Sequence, residues 1–204
     1  MSSSSVACVG VQPSSSRVRA LDAGASAPKN MPSAHVHPRV ANAAYTLGLA
    51  ERGVRSIVVR FAPTVHGAGG DHGFVAVLAK TAREKGVSAY IGEGANRWAA
   101  AHRFATPSLY RLALEKGVAG ARYHAVEEEG LTLKAIAEAI GRGLKVPVIS
   151  VSGDEAAAHF GALGFFATMS NPASSTLTRE RLGWAPGEHP GLVEDLDHFN
   201  EFGG

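Results

Sequence analysis

From Pro38 onward the hydrophobic positions alternate between two rhythms. The stretch PRVANAAYTLGLAERG is rich in Ala and Leu, opens on Pro38 and closes at Gly53. Pro presets the φ of a first helical turn and Gly accepts the left-handed stop, so the stretch predicts a helix. Ile57, Val58 and Val59 then form an unbroken β-branched run, the pattern of a strand buried on both faces. Residues 74–85 predict a second helix closed by Gly86, and VSAYIG a short strand. NRWAAAHRF reads as a strand. A helix over residues 106–116 follows, with Thr106 as N-cap and Pro107 at the first helical position. ARYHAV is a further strand. Thr132 caps LKAIAEAIGRGL, whose Leu133, Ile136, Ala137 and Ile140 share one face. VPVISV is a strand, Ser152 caps GDEAAAHFG, and the tail gives two short helices around a Trp-Ala-Pro turn. Strands and helices alternate throughout, which is the signature of an α/β chain.

Residues 1–37 break this rhythm. They are rich in Ser, Ala and Pro, carry Asp22 as their only acid, and hold few large apolar residues. Such a segment buries too little to offset its ordering entropy, so a largely disordered lead-in is expected, with VACVGV at residues 6–11 as its one candidate strand. The Ser- and Arg-bearing, acid-poor composition also fits an organellar transit peptide. The chain therefore divides into residues 1–37 and 38–204.

Charge and cysteine usage narrow the setting. Twenty Lys and Arg against 18 Asp and Glu leave a net charge of +2, and the charges interleave without a basic stripe, so no nucleic-acid partner is expected. Cys8 is the single cysteine, which excludes an internal disulfide and points to a reducing, cytoplasmic setting, the organelle being the alternative. No apolar run approaches the roughly 18 residues of a membrane span.

Between the Ile57 strand and the Phe74 helix lies a glycine-rich loop, TVHGAGGDHGF. A dinucleotide cradle requires G-x-G-x-x-G there, so that helix amides meet the pyrophosphate. Gly67, Gly69 and Gly73 are spaced one residue too long, and His72 stands where the third glycine belongs. Glu93 lies at the distance of a ribose-binding acid but in a loop between Gly92 and Gly94, and GEGANR fails the spacing too. Neither loop is a phosphate site. His66, Asp71 and His72 cluster in sequence, with His35 and His37 upstream, but the H-x4-D-H spacing matches no common zinc or iron pattern and no metal site is expected. The chain has no G-x-S-x-G nucleophile elbow and no P-loop lysine.

The same loop has a better match. VVRFAPTVHG resembles the late strand and loop, R-P-x-x-V-Y/H-G, of extended short-chain dehydrogenases/reductases, the NAD-dependent epimerase/dehydratase family. NRWAAAHRF with TPSLYRLALE resembles that family's next block, a strand and H-V-x-D followed by a helix. YHAVEEEGLTLKAIAEAIGRGL resembles the segment after it, and LTRERLGWAP the C-terminal L-G-W-x-P element. The four blocks occur in the family's order over residues 38–199.

The resemblance implies an incomplete Rossmann-like parallel sheet with a small C-terminal α/β substrate lobe, and NAD or NADP as cofactor. It implies that Pro63, Thr64, Val65 and His66 line the nicotinamide end, and that Asn96, Arg97, Trp98, His102 and Arg103 face a small-molecule substrate. Plainer roles compete: Trp98 as core, Arg97 paired with Glu93, and Trp184 as packing. The resemblance also marks what departs from the family. The pyrophosphate loop is absent, and 37 residues stand where the family has its nucleotide-binding half. The Tyr-x-x-x-Lys pair, in which the cation lowers the tyrosine pKa, has no counterpart. Tyr45 is followed four residues on by Leu49, and the position aligned by the strand holds Arg39 and Ala43. No catalytic residue is assigned. The expectation is thus a truncated oxidoreductase/epimerase-like chain with weak or no cofactor binding and without full activity. The alternative is a non-catalytic binding or subunit module, docking on a partner or a second copy through an exposed edge of the strand at residues 54–61.

Overall fold

The computed structural model describes residues 6–9, 38–67 and 73–197. In chain order the elements are β1 (Val6–Val9), α1 (Pro38–Gly48) continued by a 3-10 turn (Leu49–Arg52), β2 (Ile57–Phe61), β3 (Thr64–His66), α2 (Phe74–Lys85) and β4 (Ser88–Ile91). Then come β5 (Arg97–His102), α3 (Ala105–Lys116), β6 (Ala121–Ala125), β7 (Glu128–Thr132), α4 (Leu133–Leu144) and β8 (Val148–Val151). Four short helices close the chain: α5 (Ala156–Phe160), α6 (Gly164–Thr168), α7 (Thr176–Leu182) and α8 (Leu192–Asp197). The α/β alternation read from the sequence is the architecture observed.

Three sheets occur among the described residues, in orders β1-β2-β6, β3-β5-β7 and β4-β8. The pairs β2–β6, β3–β5 and β4–β8 are parallel, as helical crossovers require. β2 is buried as its β-branched run predicts: Ile57, Val59 and Tyr123 pack under α3 against Leu109, Ala113 and Trp184. A second core lies between α2, α4 and β4, where Leu78, Ile136 and Ile140 meet Phe74 and Trp98. Burying each such side chain stabilises the fold by about 1.5–3 kcal/mol.

The predicted stops hold. Gly53 (φ 79°) and Gly86 (φ 68°) take the left-handed conformation and return main-chain N–H groups to the helix ends. Thr132 Oγ1 accepts from Ala135 N at 3.1 Å, capping α4, and the Ser152 hydroxyl and Glu155 carboxylate cap each other's main-chain N–H ahead of α5. No helix among the described residues is long and apolar enough to cross a membrane.

Three expectations need correction. α3 begins at Ala105, not after Thr106, whose hydroxyl donates to Arg103 O at 2.9 Å inside the first turn. Pro107 is tolerated there because first-turn N–H groups lack helical partners anyway. β3, read from sequence as part of the glycine-rich loop, is a strand, and so is β7, which the sequence left unassigned. β7 is EEGLT, without apolar alternation, so only its antiparallel pairing with β5 makes it a strand. β1 occupies part of the candidate strand at residues 6–11 and pairs antiparallel with β2. Because β1 supplies one neighbour and β6 the other, β2 itself presents no open edge, and the outer edges of this sheet belong to β1 and β6. The remainder of residues 1–37 lies outside the described residues.

α8 is seated by glycine. A Cβ at Gly143 of α4 would collide with the main-chain carbonyl of Leu196, and no rotamer change relieves a backbone clash. Gly143→Ala is expected to destabilise the fold by about 1–3 kcal/mol, read from urea unfolding. A second prediction concerns pH. His124 on β6 is buried, and that burial, helped by the charges of Arg60 and Arg122, lowers its pKa from 6.5 to about 4. Folded protein keeps this ring neutral while unfolded chain protonates it near 6.5. The stabilisation is therefore complete above that pH and is lost as pH falls towards 4, by about 3 kcal/mol. His124→Gln should flatten that part of the stability–pH curve.

Candidate functional site

The parallel pairing of β3 with β5 sets the site. Their register places Thr64 beside Ala100 and His66 beside His102, so two imidazoles end adjacent strands at their C-terminal ends. In open α/β sheets that end is where ligands bind. β7 returns antiparallel along β5 with Glu128 beside Ala100, and α8 brings Asp195 across from the far end of the chain.

His66 Nδ1 lies 2.6 Å from Asp195 Oδ2, and its Nε2 lies 3.6 Å from Glu128 Oε2. His102 Nε2 lies 3.9 Å from the same Asp195 oxygen. The two rings meet edge to face at 5.3 Å, and His189 stacks on His102 at 4.7 Å. His66 and His102 are only 4% and 5% exposed, so these contacts are shielded from water. Glu128 Oε2 also accepts from Leu192 N at 2.9 Å, fastening the start of α8, and Glu127 Oε2 accepts from His102 N.

Burial and charge drive the two rings apart. For His66, burial disfavours the charged form, yet the nearby Glu128 carboxylate and the hydrogen bond and charge of Asp195 outweigh it and raise the pKa. His102 is held down, first by burial and then by the positive fields of His66, His189 and Arg103, with Asp195 alone opposing. Burial raises the Glu128 pKa, but the nearby His66 imidazole and the Leu192 N–H overcome it and lower it on balance. One ring favours the cation and its neighbour the neutral form, the separation that suits a pair to distinct proton or ligand roles.

The structure gathers some of the sequence candidates and disperses others. In β3, Thr64 and His66 point inward and are buried, while Pro63 and Val65 are half-buried. Arg103 is exposed beside the cluster, over the Phe104 ring at 4.8 Å, and its stem fills the space that a Cβ on Gly67 (φ 137°) would need. Asn96, Arg97 and Trp98 sit at the other end of β5, about 15 Å from His102 at ~3.3 Å per residue. Asn96 Nδ2 donates to Ala167 O and Met169 O, bracing a loop. Arg97 reaches Gly130 O rather than Glu93. Trp98 is core, stacked on Phe74 at 4.3 Å. Trp184 is packing as expected, its indole donating to Ser108 Oγ.

Asp195, Glu128 and His189 were missed from sequence, because no motif ties residues so far apart. The acidic run Glu127 to Glu129, directly after β6, was the one local signal. The sequence expectation of no metal site weighed His66 and the upstream His35 and His37 with Asp71 and His72. Those two, with His35 and His37, lie outside the described residues, whereas His66, His102 and Asp195 each place a ligand atom within 4.8 Å of the others.

No family model matches the chain. It is 54% identical over 159 residues to an uncharacterized protein of Schizosaccharomyces pombe, a match covering 78% of this chain and 53% of that protein. It is 47% identical over 150 residues to an uncharacterized protein of Saccharomyces cerevisiae, covering 74% and 50%. The chain thus spans about half the length of the curated relatives it matches. Among solved structures, dTDP-glucose 4,6-dehydratase of Bacillus anthracis in complex with NAD aligns with TM-score 0.62 and 15% identity over 93% of this chain and 58% of that one. A nucleoside-diphosphate-sugar epimerase of Pseudomonas aeruginosa gives 0.60 and 17% over 88% and 59%. UDP-glucose 4-epimerase of Thermus thermophilus, a complex with NAD, gives 0.56 and 18% over 79% and 52%. The chain has the Rossmann-like fold of these enzymes.

Replacing Asp195 by Asn removes one of the two carboxylates that keep His66 charged. The His66 pKa is expected to fall, visible in an NMR titration of the imidazole, and the fold to lose about 1–3 kcal/mol. An unshifted His66 would show that Glu128 alone governs it.

Proposed function

We propose that this chain supplies the nicotinamide-side and substrate-side part of an NAD(P)-dependent oxidoreductase or epimerase acting on a small molecule in a reducing compartment such as the cytoplasm. The observation that carries the reading is the β3–β5 pairing, which ends the P-T-V-H segment and the strand bearing His102 side by side, in the fold of NAD-bound epimerases and dehydratases. In this reading Pro63 and Val65, the more accessible pair, face the nicotinamide end. Thr64 and His66 shape the loop from beneath, and His102 and Arg103 border the substrate.

The chain's own residues limit what it does alone. Ala43, aligned with the family's lysine position, is buried in α1 and has no proton to give. No glycine loop in the sequence offers amides to a pyrophosphate. Charge-assisted phosphate bonds, each worth about 1.5–3 kcal/mol, are therefore lost, and several of them amount to orders of magnitude in affinity.

Titration of the chain with NADH and NADPH, followed by fluorescence of Trp98 and Trp184, is expected to give a Kd no tighter than about 1 mM. No hydride transfer should be seen. Fusion behind the nucleotide-binding half of a family epimerase should tighten binding, and Pro63→Gly should then weaken it. Micromolar affinity of the unfused chain would overturn the claim that the phosphate grip is lacking.

A further inference from the structure

Independently of the cofactor reading, we propose that His66, His102 and Asp195 form a site for one divalent transition-metal ion of the zinc type. The ligand set is two imidazoles and a carboxylate, which together suit Zn²⁺ or Co²⁺ better than Mg²⁺ or Ca²⁺. Metal–ligand bonds of about 2.0–2.1 Å place the ligand atoms of a tetrahedral ion roughly 3.4 Å apart. The observed separations from Asp195 Oδ2, 2.6 Å to His66 Nδ1 and 3.9 Å to His102 Nε2, bracket that value. The remaining edge, between the two imidazole nitrogens, lies within 4.8 Å, so side-chain shifts on the order of 1 Å bring the three ligand atoms to tetrahedral spacing.

A second observation points the same way. With His66 Nδ1 turned to the ion, its Nε2 faces Glu128 Oε2 at 3.6 Å, and Glu128 is itself fixed by Leu192 N. That is the carboxylate–histidine–metal arrangement in which an outer carboxylate sets the tautomer and basicity of the ligand ring. Three protein ligands leave a coordination position open, as in metal sites that bind water or substrate. The ring of His189, stacked on His102, walls one side. Ion binding displaces the proton shared by His66 and Asp195. It also moves the His102 proton to Nδ1, giving up the long bond from Phe104 N at 3.3 Å.

The test is titration of the metal-free chain with Co²⁺, read by visible absorption, and with Zn²⁺, read by calorimetry and thermal melting. One equivalent should bind with a tetrahedral Co²⁺ spectrum, and Zn²⁺ should raise the Tm. His102→Gln and Asp195→Asn, checked for folding by circular dichroism, should abolish both signals. His159→Gln, remote on α5, should leave them unchanged. Glu128→Gln should weaken affinity about 10–100-fold without removing the spectrum. Absence of stoichiometric binding by the unaltered chain would overturn the proposal. So would a spectrum that survives both His102→Gln and Asp195→Asn, which would place the ion on other histidines.

Discussion

A buried imidazole held between two carboxylates anchors this molecule. His66 reaches Asp195 across 129 positions of sequence, and Glu128 closes the other side while holding the first residue of α8 by its main-chain N–H. Without this contact α8, six residues long, would keep only its apolar packing and the exposed Arg142–Asp197 ion pair, and so short a helix is not stable alone. The contact joins β3, β7 and α8 into one unit at the strand ends. Burial makes it stronger than an exposed ion pair, because the low local dielectric amplifies both the hydrogen bonds and the attraction.

The rest of the site takes its character from that anchor. Burial, and after it the fields of His66 and the stacked His189, lower the pKa of His102, while the neighbouring carboxylates raise that of His66. Two rings of one residue type thus acquire different chemistry purely from position. On the opposite side α4 offers glycine at Gly143, so that the backbone of α8 approaches closely enough for Asp195 to reach the strands. Steric and electrostatic requirements converge on one short helix.

The chain shares the Rossmann-like fold of NAD-bound epimerases and dehydratases. Within that fold an imidazole–carboxylate cluster occupies the C-terminal ends of β3 and β5. Those histidines lie where the fold presents its ligands, so they are the chain's main chemical resource.

Local chemistry made much of this fold readable from sequence. The β-branched run at Ile57 to Val59 needs two covered faces, Gly53 and Gly86 need left-handed backbone, and Thr132 needs an amide to cap, whatever surrounds them. His66 and His102 were legible as candidates because their blocks resemble a family's loop and strand. Tertiary structure decided the rest. β7 is a strand only because β5 lies beside it, β2 lacks an open edge only because β1 returns antiparallel, and Asn96 and Trp98 went to bracing and core. Asp195 and Glu128 became partners of His66 only through folding. Periodicity and capping act over a few residues, whereas the pairing of a histidine with a carboxylate 129 positions away is fixed by strand register and helix packing.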